Sequence, residues 1–326
     1  MNLNEYLDQM NKIQSNILDY IENEENEETN FNLLQSFFDS IKIQNNKLDI
    51  SMLFHIVISI GNNHHRNSFF WPKIEKILLY FTTDYKNNFT NSELFNIFSK
   101  NKRILLFFIE AKIIIFDKCI IKKITSQKYL QKGFLKYFLP EIQSLNKSRL
   151  FPKDDKRLLR YMDNLLLKEI TDDFYTNRKS GENDDEICQL IRKDSLDDFI
   201  IYVTKNNYPL DSEIERSEYE TNSFLYKKND FRKNKYVSLI EYTAFHGSIQ
   251  IFKYLKTNGV KLNSKLFIYA IHGNNPEIIH ILEENIVEPS EHMNHKYFKE
   301  SMKCHHNNIA NYILEQYLNN KSSNHL

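Results

Sequence analysis

The sequence contains few of the residues that interrupt helices. Glycine and proline occur only 6 times each in 326 residues. Such scarcity excludes a chain built from many tight turns and favours long helical content. Aromatic residues, at 13% of the chain with 24 phenylalanines and 19 tyrosines, supply large apolar side chains for packing helices together. We therefore predict an all-α protein.

The chain has no excess of charge of either sign. Lys plus Arg and Asp plus Glu both number 43, so the formal net charge is +0. A neutral chain has no overall field that draws it to nucleic acid or to an anionic membrane, and we expect neither as a partner. Its 3 cysteines, Cys119, Cys188 and Cys304, have no motif spacing, which favours a reducing compartment over a disulfide framework.

The sequence shows neither a secretory signal nor a membrane-spanning segment. Its N-terminal residues, MNLNEYLDQM, lack the basic and apolar regions of a signal peptide. The most apolar run, Ile104–Ile124, is interrupted by the charged residues Glu110, Lys112, Asp117 and Lys118. We predict a cytoplasmic or nuclear protein that is not secreted.

Short motifs of common catalytic sites are also missing. The sequence has no GxSxG elbow, no HExxH, no GxxxxGK[ST] loop and no recognisable Cys–His pairing. Acid pairs such as Asp172-Asp173 and Asp197-Asp198 fall in charged turns or at predicted helix starts, where carboxylates meet the helix dipole favourably. We predict that the protein is not an enzyme and has no cofactor.

One stretch, Ser238–Asn263, has the pattern of a single unit of a helical repeat: SLIEYTAFHGSIQIFKYLKTNGVKLN. A short apolar segment predicts a first helix that Gly247 ends. Apolar residues at spacings of three and four, up to Leu255, predict a second helix. Gly259 closes that helix, and residues 260–263 are expected to form a brief extended finger.

The same pattern returns in Leu266–Val287. There Ala270 takes the position of Ala244, at a spacing of 26 residues, and Gly273 takes the position of Gly247. Consecutive copies of one helix-turn-helix unit predict a stacked array of helix pairs.

Two weaker copies flank these units. In Glu300–Gln316 the position of the glycine is taken by His305. Upstream, Ile187–Val203 has the apolar pattern of a helix pair but lacks the glycine. We predict that the array extends to both.

This segment resembles the ankyrin repeat. The matching positions are Ala244, Gly247, Ile251, Phe252, Leu255, Gly259 and Asn263. Leu239 and Glu241 replace the family's proline and histidine, and the spacing is shorter than the usual period of about 33 residues. Over residues 240–315 the chain resembles divergent ankyrin-containing proteins of protists that carry an N-terminal helical domain of unknown function. The resemblance implies an ankyrin-type solenoid that binds a protein.

Ankyrin-like units bind through positions that stacking leaves free, on the first helices and on the finger tips. The expected binding residues are Phe245, His246, Lys261, Asn263, Ile271, His272 and Lys303. We predict a non-catalytic interaction scaffold with an unknown protein partner. Two alternatives stay open. A flat apolar patch on the terminal helix would favour a structural or self-assembling protein, and a deep pocket lined by converging polar groups would favour an enzyme.

The chain divides into a helical N-terminal region, 1–180, and ankyrin-like repeats over 185–318, with a tail at 319–326 predicted to be disordered. The polar stretch Arg178–Asp185 is the predicted linker between them. The N-terminal region is either a set of degenerate repeats or an irregular bundle. Its predicted helices span residues 1–22, 31–43, 50–60, 74–81, 93–98, 104–124 and 151–166.

A long polar insertion, residues 206–236, interrupts the array. Its front half is acidic and its back half is basic. We consider two interpretations: a solvated insertion, or a loop that a partner reads. The basic strip Lys227–Lys235 superficially resembles a nucleic-acid contact, but its acidic neighbours offset its field, and a solvated loop is favoured.

Histidines cluster at residues 64–65 and again at His292, His295 and residues 304–306. A zinc site needs ligands that converge from short-spaced pairs. Because Cys304 and His305 are adjacent in sequence, we predict polar residues at a turn here and no metal site.

Overall fold

The computed structural model describes residues 3–64, 66–67, 69–126, 133–144, 170–226, 236–285 and 291–319. These residues are helical and contain no β-strand, and one isolated antiparallel bridge joins Glu213 to Ser238. The all-α prediction is confirmed. The helices are α1 (Leu3–Glu22), α2 (Glu27–Ser40), α3 (Lys47–Asn63), α4 (Phe70–Tyr80), α5 (Thr82–Asn88), α6 (Asn91–Phe98), α7 (Lys102–Glu110), α8 (Lys118–Ile124), α9 (Phe134–Tyr137), α10 (Leu139–Gln143), α11 (Asp172–Ser180), α12 (Glu186–Arg192), α13 (Leu196–Lys205), α14 (Ser223–Tyr226), α15 (Leu239–His246), α16 (Ile249–Thr257), α17 (Leu266–Gly273), α18 (Pro276–Asn285), α19 (Glu291–Lys303) and α20 (Asn307–Ile313).

Two compact units make up the chain. The first comprises residues 1–61 and 66–181, and the second comprises residues 62–65 and 182–326. The division falls within the predicted linker, but the first residues of that stretch belong to α11. Arg178 is buried and its Nη1 lies 2.7 Å from the carboxylate of Glu141, so this end of the predicted linker is part of a packed core.

The core of the first unit is aromatic. Tyr85, Phe98 and Phe108 are fully buried, with the Phe98 and Phe108 rings stacked at 4.0 Å between centroids. The Tyr85 ring stands edge-on to Phe108, and its hydroxyl donates to the carbonyl oxygen of Leu78 at 2.7 Å. The hydroxyl partner is needed because a buried phenol without one loses its hydrogen bonds to water.

A buried lysine closes the C-terminal end of α1. Lys73 on α4 is 2% exposed, and its ammonium donates to the carbonyl oxygens of Tyr20, Ile21 and Asn23 at 3.0, 3.1 and 2.5 Å. The last carbonyls of a helix have no intrahelical donor and carry the negative end of its dipole. Lys73 therefore supplies both hydrogen bonds and charge where α1 ends.

The apolar run Ile104–Ile124 does not form the single helix predicted for it. It contains α7 and α8, separated by an irregular segment in which Lys112 has a positive φ of 56°. The side chain of Asp117 accepts from the backbone of Ile120 and starts the second helix. The helix predicted at residues 151–166 lies outside the described residues.

Four helix pairs form the second unit. They are the first pair (α12 and α13), the second pair (α15 and α16), the third pair (α17 and α18) and the fourth pair (α19 and α20). The first helices of neighbouring pairs contact one another in order along the chain, as do the second helices of the first three pairs. The first helices therefore form one layer along all four pairs, and the second helices form another along the first three.

Every pair turns at a residue in the left-handed conformation. These residues are Asp194, Gly247, Asn274 and His305, with φ of 48°, 69°, 49° and 64°. In three of the turns the amide of the next residue bonds to a carbonyl five residues back, as Ser248 does to Thr243 at 3.1 Å. The prediction that His305 replaces the glycine is confirmed, and Asp194 fills that place in the first pair.

The register of the third pair differs by one residue from the prediction. Asn274, not Gly273, has the left-handed φ of Gly247, so the spacing between equivalent turns is 27 residues. Gly273 is the last residue of α17 and is needed for a different reason. A methyl group on it would lie 2.1 Å from the carbonyl oxygen of Ala244 and 2.8 Å from the amide nitrogen of Gly247.

Part of the insertion packs into the second unit. Ile214 is 4% exposed and belongs to its core, and Glu220 is buried. Asn183 donates to the carbonyl oxygen of Glu215 at 3.0 Å, and Ser217 donates to Asp184 at 2.7 Å. The solvated-insertion interpretation is therefore wrong for these residues, while 227–235 lie outside the described residues.

Candidate functional site

Equivalent positions on the first helices form a row along one side of the stack. Each lies two residues before the left-handed residue of its turn, and we call these residues the inner row: Arg192, Phe245, His272 and Lys303. The row includes three of the residues that the sequence predicts for binding. Sequence comparison alone aligns Phe245 with Ile271, because it aligns the two glycines; the turn geometry instead aligns Phe245 with His272.

Phe224 of the insertion lies against three members of the inner row. Its ring centroid is 5.9 Å from that of Phe245, with the rings nearly parallel at 9°, and 4.2 Å from that of His272. The ammonium of Lys303 is 5.9 Å from the centre of the same ring. Tyr269, one turn before His272, meets Phe224 edge-on at 5.1 Å. One aromatic side chain thus contacts three consecutive helix pairs.

Local turn chemistry places Phe224. The carboxylate of buried Glu220 accepts from the amide of Asn222 at 2.6 Å, and the side chain of Asn222 accepts from the amide of Phe224 at 2.9 Å. Bonds of this kind from Asn side chains to amides two residues on are typical of turns and helix starts. They begin the short helix α14 and hold the ring over the row.

The structure separates the predicted binding residues into buried and accessible groups. Phe245, Ile271 and His272 are 7%, 0% and 2% exposed, because neighbouring helices and Phe224 cover them. Ile271 occupies the position of Ala244 inside the stack and has no surface to offer a partner. The remaining four, His246, Lys261, Asn263 and Lys303, are partly or fully exposed.

A chain of polar contacts runs through the middle of the inner row. The imidazole of His272 has Nε2 at 2.9 Å from the Glu300 carboxylate and Nδ1 at 3.4 Å from the Cys304 sulfur. Lys303 donates to the same carboxylate oxygen at 2.6 Å. Phe245 stacks on the imidazole with centroids 5.0 Å apart. Cys304, His272, Glu300 and Lys303 therefore form one hydrogen-bonded series with an apolar cover.

The carboxyl group and the thiol of this series are held in different protonation states. Burial alone would raise the pKa of Glu300, but hydrogen bonds from His272 and Lys303 outweigh it and lower that pKa to about 2. Burial raises the pKa of the Cys304 thiol, so the sulfur keeps its proton at neutral pH. Since Cys304 is 0% exposed, it presents no nucleophile to solvent.

The donor atoms of His272, Glu300 and Cys304 all lie within 4.8 Å of one another. Among the residues that the structure describes, they are the one group of three His, Cys, Asp or Glu side chains so placed. Glu300 and Cys304 are four residues apart, and the amide of Cys304 bonds to the carbonyl of Glu300 at 2.9 Å, so both face the same neighbour.

The histidines that cluster in the sequence come together only in part in the structure. His64, His305 and His306 are buried, with His64 5.4 Å from His306 and 6.1 Å from His305 between ring centroids. His64 Nδ1 lies 3.2 Å from the carbonyl oxygen of Cys304. Burial lowers the pKa of His305 to about 4, so this imidazole is neutral at pH 7. His292 and His295 are exposed and His65 lies outside the described residues.

Sequence reasoning missed Phe224 and Glu300. The sequence pattern could have identified Glu300, since a carboxylate four residues before a cysteine on one predicted helix lies on the same face as that cysteine. Phe224 carried no such signal, because only folding brings the insertion to the inner row.

No described helix has both the length and the apolar character required to cross a lipid bilayer. No known protein family, curated protein or solved structure is significantly similar to this chain.

Proposed function

We propose that the second unit is an ankyrin-type module with a non-catalytic function, the binding of protein segments on its inner row. The observation that carries the proposal is the position of the Phe224 ring against the inner row. The short helix α14 places one aromatic ring across Phe245, His272 and Lys303, which belong to three successive helix pairs.

The two-layer stack of helix pairs supports this function. In such a stack the residues between layers are committed to packing, so recognition is left to side chains along one face and at the turns. Around Phe224 the inner row combines two flat rings, Phe245 and His272, with the cation of Lys303. Such a surface favours a segment in which an aromatic side chain has acidic residues beside it. The insertion itself has this composition: it carries Glu218 and Glu220 just before Phe224.

Two exposed finger residues, Lys261 and Asn263, extend the surface beyond the row. Neighbouring helices bury Ile271, whereas these two side chains are open to solvent. We propose that a partner segment displaces the Phe224 segment from the inner row and continues over these fingers.

A peptide added in trans tests this function. The full chain is prepared with residues 217–226 replaced by a Gly/Ser sequence of equal length, and a fluorescent peptide of sequence SEYETNSFLY is titrated in. We expect the replaced protein to bind the peptide and the wild type to bind it much more weakly, because its own segment competes at an effective concentration on the order of millimolar.

Two controls make the outcome specific. A peptide with alanine in place of the phenylalanine is expected to lose most of the binding, and a Lys303→Ala version of the replaced protein is expected to bind the original peptide more weakly. Equal binding of both peptides, or no binding by a replaced protein that retains its helical circular dichroism, would count against the inner row as a recognition surface.

A further inference from the structure

We propose that His272, Glu300 and Cys304 form a binding site for one zinc ion. The site shares His272 with the inner row, but it requires no protein partner. It joins the third and fourth helix pairs, since His272 comes from α17 while Glu300 and Cys304 come from α19 and the residue after it.

The donor set has the chemistry of zinc. A thiolate, an imidazole and a carboxylate are the three ligand types that Zn²⁺ takes in proteins, whereas Mg²⁺ and Ca²⁺ prefer oxygen alone. One ion takes one nitrogen of the His272 ring, and we place it at Nδ1, which lies 3.4 Å from the Cys304 sulfur. The Glu300 carboxylate, now 2.9 Å from Nε2, turns towards the ion. Three protein ligands leave a fourth position on the ion for water or a small anion.

The distances require only a small contraction. Zinc bonds of about 2.3 Å to sulfur and about 2.0 Å to nitrogen put neighbouring donors roughly 3.5 Å apart in a tetrahedron. The Cys304 sulfur and His272 Nδ1 are already 3.4 Å apart, and the group as a whole spans at most 4.8 Å. The carboxylate of Glu300 sits at the end of a long side chain, so its rotation can supply the remaining movement.

Charge balance favours the occupied site. On binding, the Cys304 thiol gives up its proton to solvent, and the resulting thiolate together with the Glu300 carboxylate neutralises the two charges of the ion. His272 contributes a neutral nitrogen. Lys303, whose ammonium now contacts Glu300, has a side chain that is 36% exposed and turns out to solvent when the ion replaces it. A neutral buried cluster avoids the high cost of an unpaired buried charge.

Cobalt substitution of a chain with a single cysteine tests the site directly. Cys119→Ser and Cys188→Ala together leave Cys304 as the sole thiol, and the untagged full chain is stripped of metal and titrated with Co²⁺. We expect a near-ultraviolet absorption from cobalt bound to thiolate, saturating near one ion per chain and abolished by added Zn²⁺. A structural hydrogen bond between the thiol and His272 would not produce this band.

The affinity for Zn²⁺ is then compared among full-length variants by competition with a chromophoric chelator. Cys304→Ser and Glu300→Gln should each weaken binding at least ~10-fold, the loss seen even for outer-shell partners of metals. Cys188→Ala, which alters a buried cysteine of the same unit, should leave the affinity unchanged. No cobalt–thiolate absorption in the single-cysteine chain would overturn the proposal, and so would equal zinc affinity in Cys304→Ser and Cys188→Ala. The peptide experiment is unaffected by either result.

Discussion

The backbone of Gly273 lies directly against that of Gly247, where the turns of the second and third helix pairs meet. A methyl group on Gly273 would be 2.1 Å from the carbonyl oxygen of Ala244, a distance that no packing adjustment of side chains relieves. The two glycines therefore set the separation between the helix pairs. Gly247 has a positive φ of 69°, and a methyl group on it would lie 2.6 Å from the carbonyl oxygen of Gly273, while Gly273 is needed for its lack of a side chain.

Gly273→Ala should strongly destabilise the second unit, by about 3 kcal/mol or more, because backbone atoms must move apart to admit the methyl group. Gly259→Ala is the matched control. Gly259 has a φ of 86°, but a methyl group added to it would meet no atom within 4 Å, so its substitution should cost only the roughly 1–2 kcal/mol of a left-handed alanine. Chemical denaturation of both variants measures the difference, and equal losses would show that the helix pairs are not in close contact here.

Much of this stack follows from sequence pattern. Repeated apolar spacings predicted the second, third and fourth pairs, and scarce glycine predicted the helical content. The register of the third pair did not follow, because Gly273 and Asn274 are adjacent and either residue accepts a left-handed conformation. The two assignments are distinguished only by the close approach of the Gly273 backbone to that of Gly247, which lies 26 positions away in the sequence.

Asp194 links the first pair to the second. Its carboxylate accepts from the amides of Gln250 and Ile251, both at 3.0 Å, and so caps the N-terminal end of α16 from another helix pair. Asp194→Ala should cost about 2 kcal/mol, since it removes these bonds and places alanine at a φ of 48°.

Asp194→Asn is a more conservative substitution at the same position. Asparagine tolerates the left-handed conformation and keeps one acceptor oxygen, so we expect less than half the loss of the alanine variant. Urea denaturation of both variants provides the comparison. An asparagine variant as unstable as the alanine variant would mean that charge, and not acceptor geometry, is what α16 requires.

Lys73→Met should destabilise the first unit by about 2–3 kcal/mol. The substitution leaves three carbonyl oxygens at the end of α1 without their donor, and the hydrogen bonds to two of them, those of Tyr20 and Ile21, are buried. Lys76→Met is the control on the same helix. Lys76 pairs with Glu27 at 3.2 Å on an exposed surface, where ion pairs contribute roughly 0–1 kcal/mol. Similar losses in both variants, measured by thermal unfolding, would argue that Lys73 acts only through its apolar stem.

Phe224→Ala should cost the second unit about 2 kcal/mol, because its ring is partly buried against Phe245 and His272. Tyr236→Ala, at the other end of the insertion, alters a side chain that is 44% exposed and should change stability by less than about 0.5 kcal/mol. If the two variants unfold at the same denaturant concentration, the insertion does not depend on the inner row for its position.

Acid should weaken the start of α6. Hydrogen bonds from the side chain of Lys47, then from the backbone and hydroxyl of Thr90, lower the pKa of Glu93 to about 2. The folded state therefore holds this proton less tightly than the unfolded chain does. The stabilisation is complete above the unfolded pKa of about 4.5 and is lost as the pH falls towards 2.

Thermal unfolding of the wild type and of Glu93→Gln across that range measures the effect. We expect the wild type to be the more stable above pH 4.5, by a small amount because Glu93 is exposed and screened by salt, and the two curves to converge near pH 2. Glu28→Gln, in the first turn of α2, controls for removal of a carboxylate. A constant difference between the wild type and Glu93→Gln down to pH 2 would rule out this linkage.

From the insertion between the first and second pairs we also expect a particular order of folding. The second, third and fourth pairs meet through contacts between nearby parts of the chain, which form quickly and lose little chain entropy. The first pair must close a loop of more than thirty residues before Asp194 reaches α16, a contact 56 positions away. The first pair is therefore the last to dock and the first to open. We expect the amide hydrogens of α12 and α13 to exchange with solvent faster than those of α15 and α17.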